Sequence, residues 1–132
     1  MSAAASDNDQ LRGLLQRYSR AADARDIDTL RSLFHPDAVI DGARGVLTVE
    51  PWLEAMRAGP APKASMHMLG EPLIEVEGDE ARLDTYAVVY QVGDGSPAQP
   101  DRTLGIRYLD VAVHGDSGWR IRHRQASTVW MR

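Results

Sequence analysis

After residue 65 the chain changes character, and that change restricts its fold more than any other feature. Four long segments, 66–76, 81–92, 103–113 and 119–130, are rich in β-branched, aromatic and alternating apolar residues and read as strands. The connectors are built from turn formers: Glu77-Gly78-Asp79, the Gly/Pro/Ser-rich stretch 93–100, and His114-Gly115-Asp116-Ser117-Gly118. Consecutive strands joined by short loops pair antiparallel. The 93–100 stretch reads as a mobile hairpin loop.

The first half is helical instead. Leu11, Leu14, Leu15, Tyr18, Ala21 and Ala22 recur at helical spacing and define one apolar face. Asp7 or Asn8 is placed to cap this first helix, which should run to about Ala24. A short second helix follows, with Asp26 or Asp28 near its start and Leu30, Leu33 and Phe34 on its inner face; Pro36 forces its end. Residues 38–41 read as a short strand and 42–45 as a turn. Thr48 is then a candidate cap for a third helix that carries Pro51 just inside its start and Trp52, Leu53 and Met56 on its inner face, ending at Gly59-Pro60. Helices first and a meander afterwards predict an α+β fold: three N-terminal helices packed on one side of a strongly curved, mostly antiparallel sheet, with one pocket between the layers. The chain has 132 residues, enough for one domain. We read residues 1–7 as a flexible tail and 8–132 as that domain.

Composition removes several function classes. There is no cysteine, hence no thiol catalysis and no cysteine-zinc site. Basic and acidic residues number 15 and 19 and are interspersed, giving a formal net charge of −4. That pattern describes a solubility surface, not a footprint for nucleic acid or membrane. No apolar run approaches the ~20 residues that span a bilayer, and the polar start is no signal peptide, so a cytoplasmic location is expected. The four histidines are scattered, which argues against a metal site. Glycine-rich phosphate loops, dinucleotide fingerprints and nucleophile elbows are all missing, so no cofactor is expected.

The residues that can carry chemistry are few. Asp23 lies near the end of the first helix, five residues beyond Tyr18 and therefore about 140° around the helix from it; the two can flank one edge of a pocket. Taken alone, Asp23 also fits a solvated helix end, where a carboxylate meets the negative end of the dipole. His67 sits in Met66-His67-Met68-Leu69, and a lone histidine there also fits a satisfied core position. Together the two are the pairing that makes a general base near neutral pH: the carboxylate fixes the tautomer and stabilises the imidazolium that forms. Arg120, Arg122 and Arg124 alternate in the last strand, so strand parity places them on one face, with Trp119, Ile121 and His123 on the other. The arginine face then reads as solvent-facing, unless a β-bulge breaks the parity and turns one arginine inward. His35 and His114 read as surface residues.

Several segments, in order, resemble one family. Tyr18-x4-Asp23-x2-Asp26 followed by Leu30-x2-Leu33-Phe34-x2-Asp37-Ala38 is similar to the opening of SnoaL-like proteins, members of the cone-fold superfamily named after nuclear transport factor 2. Met66-His67-Met68-Leu69-Gly70, Ile74-Glu75-Val76 and Gly78-Asp79-x-Ala81 resemble their first long strand and the turn after it. Arg107-Tyr108-x-Asp110 and Gly118-Trp119-Arg120-Ile121 resemble their last two strands. The resemblance implies a cone around a small, largely apolar ligand. Its branch of scytalone dehydratase, bile-acid dehydratase and lindane dehydrochlorinase implies a cofactor-free lyase or isomerase. In that branch an Asp of the first helix orients a His of the first long strand, which removes a proton; Asp23 and His67 match those positions. Tyr18 matches a tyrosine that helps the leaving oxygen depart, and Arg124 falls near a last-strand arginine that some members use. The chain departs from the family where the dehydratases continue His-x3-Asn, because Glu71 stands there. The superfamily also contains binding and subunit modules and polyketide cyclases, so both remain alternatives. Its members imply a homo-oligomer, dimer or trimer, and an exposed Val129-Trp130-Met131 would be an apolar liability without one.

Overall fold

Ser6 starts the first helix. Its hydroxyl accepts the Asp9 N–H at 3.1 Å, which satisfies one donor of the first turn. Asp7 and Asp9 place negative charge at the positive end of the helix dipole. The computed structural model describes residues 5–94 and 99–132; the expected tail at 1–7 and hairpin loop at 93–100 therefore fall partly outside the described residues. Helix α1 (Asp7–Ala24) buries Leu11, Leu14, Leu15, Tyr18 and Ala21. It stops at Arg25, whose φ of 52° is left-handed and whose N–H returns to the Ala21 and Ala22 carbonyls. That position favours glycine; holding any other residue there costs about 1–2 kcal/mol. The cap is thus Ser6, not Asp7 or Asn8, because a hydroxyl one residue earlier reaches the same orphan donors.

Helix α2 (Ile27–Leu33) is capped by Asp26, which accepts from both the N–H and the hydroxyl of Thr29. Phe34 does not continue it but opens strand β1 (Phe34–Gly42). Pro36 cannot donate to a ladder, and the pairing of β1 shifts register between Phe34 and Val39. A short strand that the sequence reading missed, β2 (Gly45–Thr48), hairpins back on β1 through Gly45 at φ 89°. Helix α3 (Val49–Ala58) follows, with Trp52, Leu53 and Met56 buried.

The expected strand over 66–76 is two strands, β3 (Ala64–Leu69) and β4 (Leu73–Glu77). Gly70-Glu71-Pro72 separates them, and Pro72 has no N–H to carry a ladder through. Both pair with one edge of β5 (Glu80–Val92). Strands β6 (Arg102–Gly115) and β7 (Gly118–Met131) complete a seven-stranded sheet of order β2-β1-β7-β6-β5-β3, with β4 also on β5. Every pair is antiparallel except β1 with β7, which is parallel. The three helices lie against one face of the curved sheet. The core between the layers centres on Leu11, Leu30, Leu53, Phe34, Ala112 and Ile121.

One irregularity in β7 decides what the concave face can hold. Val111 pairs with His123, but the next residue, Ala112, pairs with Ile121, so Arg122 is the extra residue of a β-bulge. Trp119 and Ile121 are buried; Arg122 and His123 are both exposed; Arg124 is buried again. Simple parity is corrected here: Arg124 leaves the face of Arg120 and Arg122 and turns inward, and His123 turns outward. Among the described residues no helix is long and apolar enough to cross a membrane.

Candidate functional site

The last turn of α1 lies over β3, and there the two polar groups singled out by the sequence meet. On β3 the alternation puts Met66 and Met68 outside and Ser65 and His67 inside. Asp23 receives three hydrogen bonds from that inner edge: from His67 Nδ1 at 2.5 Å and Ser65 Oγ at 3.1 Å to Oδ1, and from the His67 backbone N–H at 3.0 Å to Oδ2. A carboxylate bound this way is fixed in position. It also orients the imidazole: with Nδ1 donating to Asp23, Nε2 carries the lone pair. Both side chains are largely covered, His67 at 12 % and Asp23 at 24 % exposure.

Tyr18 packs edge-on to His67, with ring centroids 6.1 Å apart. Behind it stands Arg124, 1 % exposed. Its guanidinium carbon lies 4.1 Å from the centroid of Tyr18 and 4.2 Å from that of Tyr108, a cation held between two aromatic faces. Asp110 grips it from the side, accepting from Nε at 2.7 Å and Nη2 at 3.0 Å. Nη1 has no partner among the described residues. Burial pulls the guanidinium toward neutrality, but Asp110 and the two phenols more than offset it, and Arg124 is held above its ordinary value and stays charged. Tyr108 is pushed well above the usual phenol range, by burial first and by the neighbouring Tyr18 second, with Arg124 pulling the other way. It is therefore a neutral hydroxyl at any physiological pH.

These side chains open on a cavity of about 360 Å³ between the helices and the concave face of the sheet. Tyr18, His67, Tyr108 and Arg124 contribute polar groups to its wall, and Trp52, Met56, Val89 and Ile106 contribute apolar surface. Asp23 stands behind His67 and does not line the cavity. The four residues chosen from sequence are thus brought together.

The sequence reading missed Tyr108 and Asp110 as members of the site. The available signal was charge in an apolar context: Asp110 lies between Leu109 and Val111, two positions along β6 from Tyr108 and so on the same face. A buried carboxylate needs a cation, and register places Arg124 opposite it. Glu71 is outside the site and pairs with Arg12 at 2.7 Å on the surface. His35 and His114 are also away from it, His114 packing edge-on against Trp119 beside the last turn. Among the described residues no three metal-ligating side chains converge.

Comparison with known proteins bears on this arrangement. The sequence profile of the SnoaL-like domain matches residues 3–125. Rv2910c, an uncharacterized protein of Mycobacterium tuberculosis strain H37Rv, is 35 % identical over 127 residues, covering 90 % of this chain and 83 % of that one. Among solved structures, a candidate scytalone dehydratase of Novosphingobium aromaticivorans superposes with a TM-score of 0.78 at 20 % identity, covering 92 % of this chain and 83 % of the other. A type 2 hexachlorocyclohexane dehydrochlorinase superposes with a TM-score of 0.77 at 15 % identity, covering 96 % and 92 %. At such identities these structures share the fold with this chain.

Proposed function

Because this chain belongs to the SnoaL-like domain family, whose cone here encloses a carboxylate–imidazole pair, we propose that it is a cofactor-independent lyase or isomerase of the dehydratase kind. His67 is the base, Asp23 orients it, and Tyr18 and Arg124 serve the oxygen that gains charge. His67 Nε2 takes a proton from a carbon next to an electron-withdrawing group. The electron pair of that C–H bond becomes a C=C bond, and a hydroxyl on the neighbouring carbon leaves as water with the proton of the Tyr18 phenol. In an isomerisation the proton returns to a different carbon instead. Arg124 keeps a positive charge beside the Tyr18 ring, which favours charge developing on the phenol oxygen. The observation that carries this reading is the 2.5 Å contact from His67 Nδ1 to Asp23 at the wall of a cavity. A binding or subunit module needs the cavity but not that pair. A polyketide cyclase needs room for several fused rings, and about 360 Å³ lies at the small end of the ~300–1,000 Å³ range of ligand pockets, a size suited to a one- or two-ring molecule.

The test is proton exchange. Cyclic ketones and β-hydroxyketones of one or two rings are incubated with the protein in D2O, and loss of the α-proton signal is followed by NMR. The wild-type chain should catalyse exchange at a carbon of at least one compound. His67→Ala should lose on the order of 10²–10⁴ in rate, Asp23→Asn should lose a comparable amount, and the double variant little more than either, because the pair acts as a unit. Exchange that persists in His67→Ala overturns the assignment of the base.

The same reading extends to assembly. The outer face of the sheet exposes Met66, Met68, Tyr86, Val129 and Trp130, an apolar surface of the kind that marks an interface. We propose that a second copy of this chain covers it, a dimer ahead of a trimer. Light scattering should find no monomer at micromolar concentration, and Trp130→Glu should produce one.

A further inference from the structure

The walls of the cavity carry charge of one sign. Four arginines line it, Arg25, Arg44, Arg102 and Arg124, and among the described residues no carboxylate does. The whole chain has a net charge of −4, so this concentration runs against its average. Asp110 neutralises Arg124. Among the described residues the other three have no carboxylate partner: Arg102 donates to Met131 Sδ at 3.3 Å and Arg25 to the Met56 carbonyl. They come from separate parts of the fold, the C-terminal end of α1, the β1–β2 turn and the start of β6. The buried Arg124 adds a donor, Nη1, that nothing described here satisfies.

We infer that the ligand of this cavity is an anion: a one- or two-ring apolar body that lies against Trp52 and Val89, bearing a carboxylate or phosphate group met by Arg25, Arg44 and Arg102. The inference rests on the proposed reading of the cavity as the reacting site and adds a substrate class to it. It places the acidic group toward the three arginines that have no carboxylate partner among the described residues and leaves the uncharged ring for His67. Arginine suits this role because its planar fork binds carboxylate or phosphate through two parallel hydrogen bonds, and a low-dielectric wall behind the charges concentrates anions at the opening.

Three probes of one shape test it: 2-naphthamide, 2-naphthoate and 2-naphthyl phosphate, titrated into the full chain by calorimetry. At low salt 2-naphthoate should bind at least about tenfold more tightly than the amide, the gain expected from a few partly exposed ion pairs, and that advantage should shrink as salt is added. The Arg44→Gln/Arg102→Gln variant should lose the preference while its affinity for the amide stays within about twofold. A phosphate preference well beyond the roughly tenfold gain expected from its extra charge points to a phosphorylated ligand, and a smaller one to a carboxylic acid; both support the inference. Equal affinity for all three probes, a preference that survives in the double variant, or no binding of any probe at millimolar concentration overturns it. His67→Ala should keep the preference. The anion reading and the assignment of the base can therefore fail separately.

Discussion

The sheet holds two arginine–carboxylate pairs of nearly the same geometry on its opposite faces. Arg124 and Asp110 meet on the concave side at 2.7 and 3.0 Å; Arg107 and Asp84 meet on the convex side at 2.9 and 2.6 Å. Both are two-point contacts through Nε and Nη2, and both hold the arginine above its ordinary value. Their surroundings differ. The inner pair is 2 % and 0 % exposed at the side chains, and its cation lies between two phenol rings; the outer pair is 42 % and 28 % exposed. The difference teaches that the same contact serves different ends. On the convex face it is a modest, salt-screened surface interaction. On the concave face desolvation consumes most of the attraction, so the pair's value lies in keeping one charge fixed at the wall of the cavity.

The largest way to break the comparison is to delete Arg122. Without the bulge, strand parity forces an inversion: either Arg124 turns to solvent and strands Asp110, or Trp119 and Ile121 leave the core. The deletion should lower the urea midpoint by more than any single substitution at either pair. Asp110→Asn comes next. It leaves the buried guanidinium without a counter-charge and should cost about 3–5 kcal/mol in urea unfolding. The double change Arg124→Met/Asp110→Leu sharpens the point, because an apolar pair of similar size should restore most of that stability while proton exchange stays impaired. If stability is not restored, the pair is structural and the reading above is wrong on this face.

Of the two faces, the smaller effect belongs to the outer pair. The Arg107 hydrogen bond holds the Asp84 carboxyl below the usual range, against a lesser opposing effect of burial. A carboxyl lowered in the folded state adds stability above its unfolded value, near ~3.9, and that contribution fades as pH falls through the lower folded value. Asp84→Asn should therefore be slightly less stable than wild type at pH 7 and indistinguishable from it in strong acid, with the gap at pH 7 closing in high salt. A gap that persists in both conditions shows that packing, not charge, separates the two chains. Ser6→Ala probes neither face and should cost about 1 kcal/mol through the lost cap.

Much of this molecule can be read along the chain, because the deciding interactions are local. The face of α1, the cap at Asp26 and the glycine turns depend on neighbours within a few residues, and so do the alternation of β5 and β6 and the order of helices before strands. Asp23 and His67 stand out by the chemistry of an Asp–His pair and by their match to two positions of the resembling family, not by helix face or strand parity, which leave both open. The misses are equally specific. Phe34 reads as helical from its spacing, yet it opens β1 because β7 offers it a parallel partner at Ile121. The strand over 66–76 reads as continuous, since one proline weighs little against its apolar run, but the ladder on β5 cannot pass Pro72.

The sequence by itself determined the α+β class and the helical face that covers the sheet, and it offered the two residues proposed as base and orienter. The tertiary structure decided which arginine faces the cavity, that Tyr108 and Asp110 hold it there, and that Arg25, Arg44 and Arg102 gather around one opening. The physical reason is the range of the interactions involved. A bulge exists only relative to the strand it pairs with, and shifting register by one residue sends a side chain to the opposite face. Long-range pairing between β6 and β7, which no local pattern encodes, therefore sets the chemistry of the cavity.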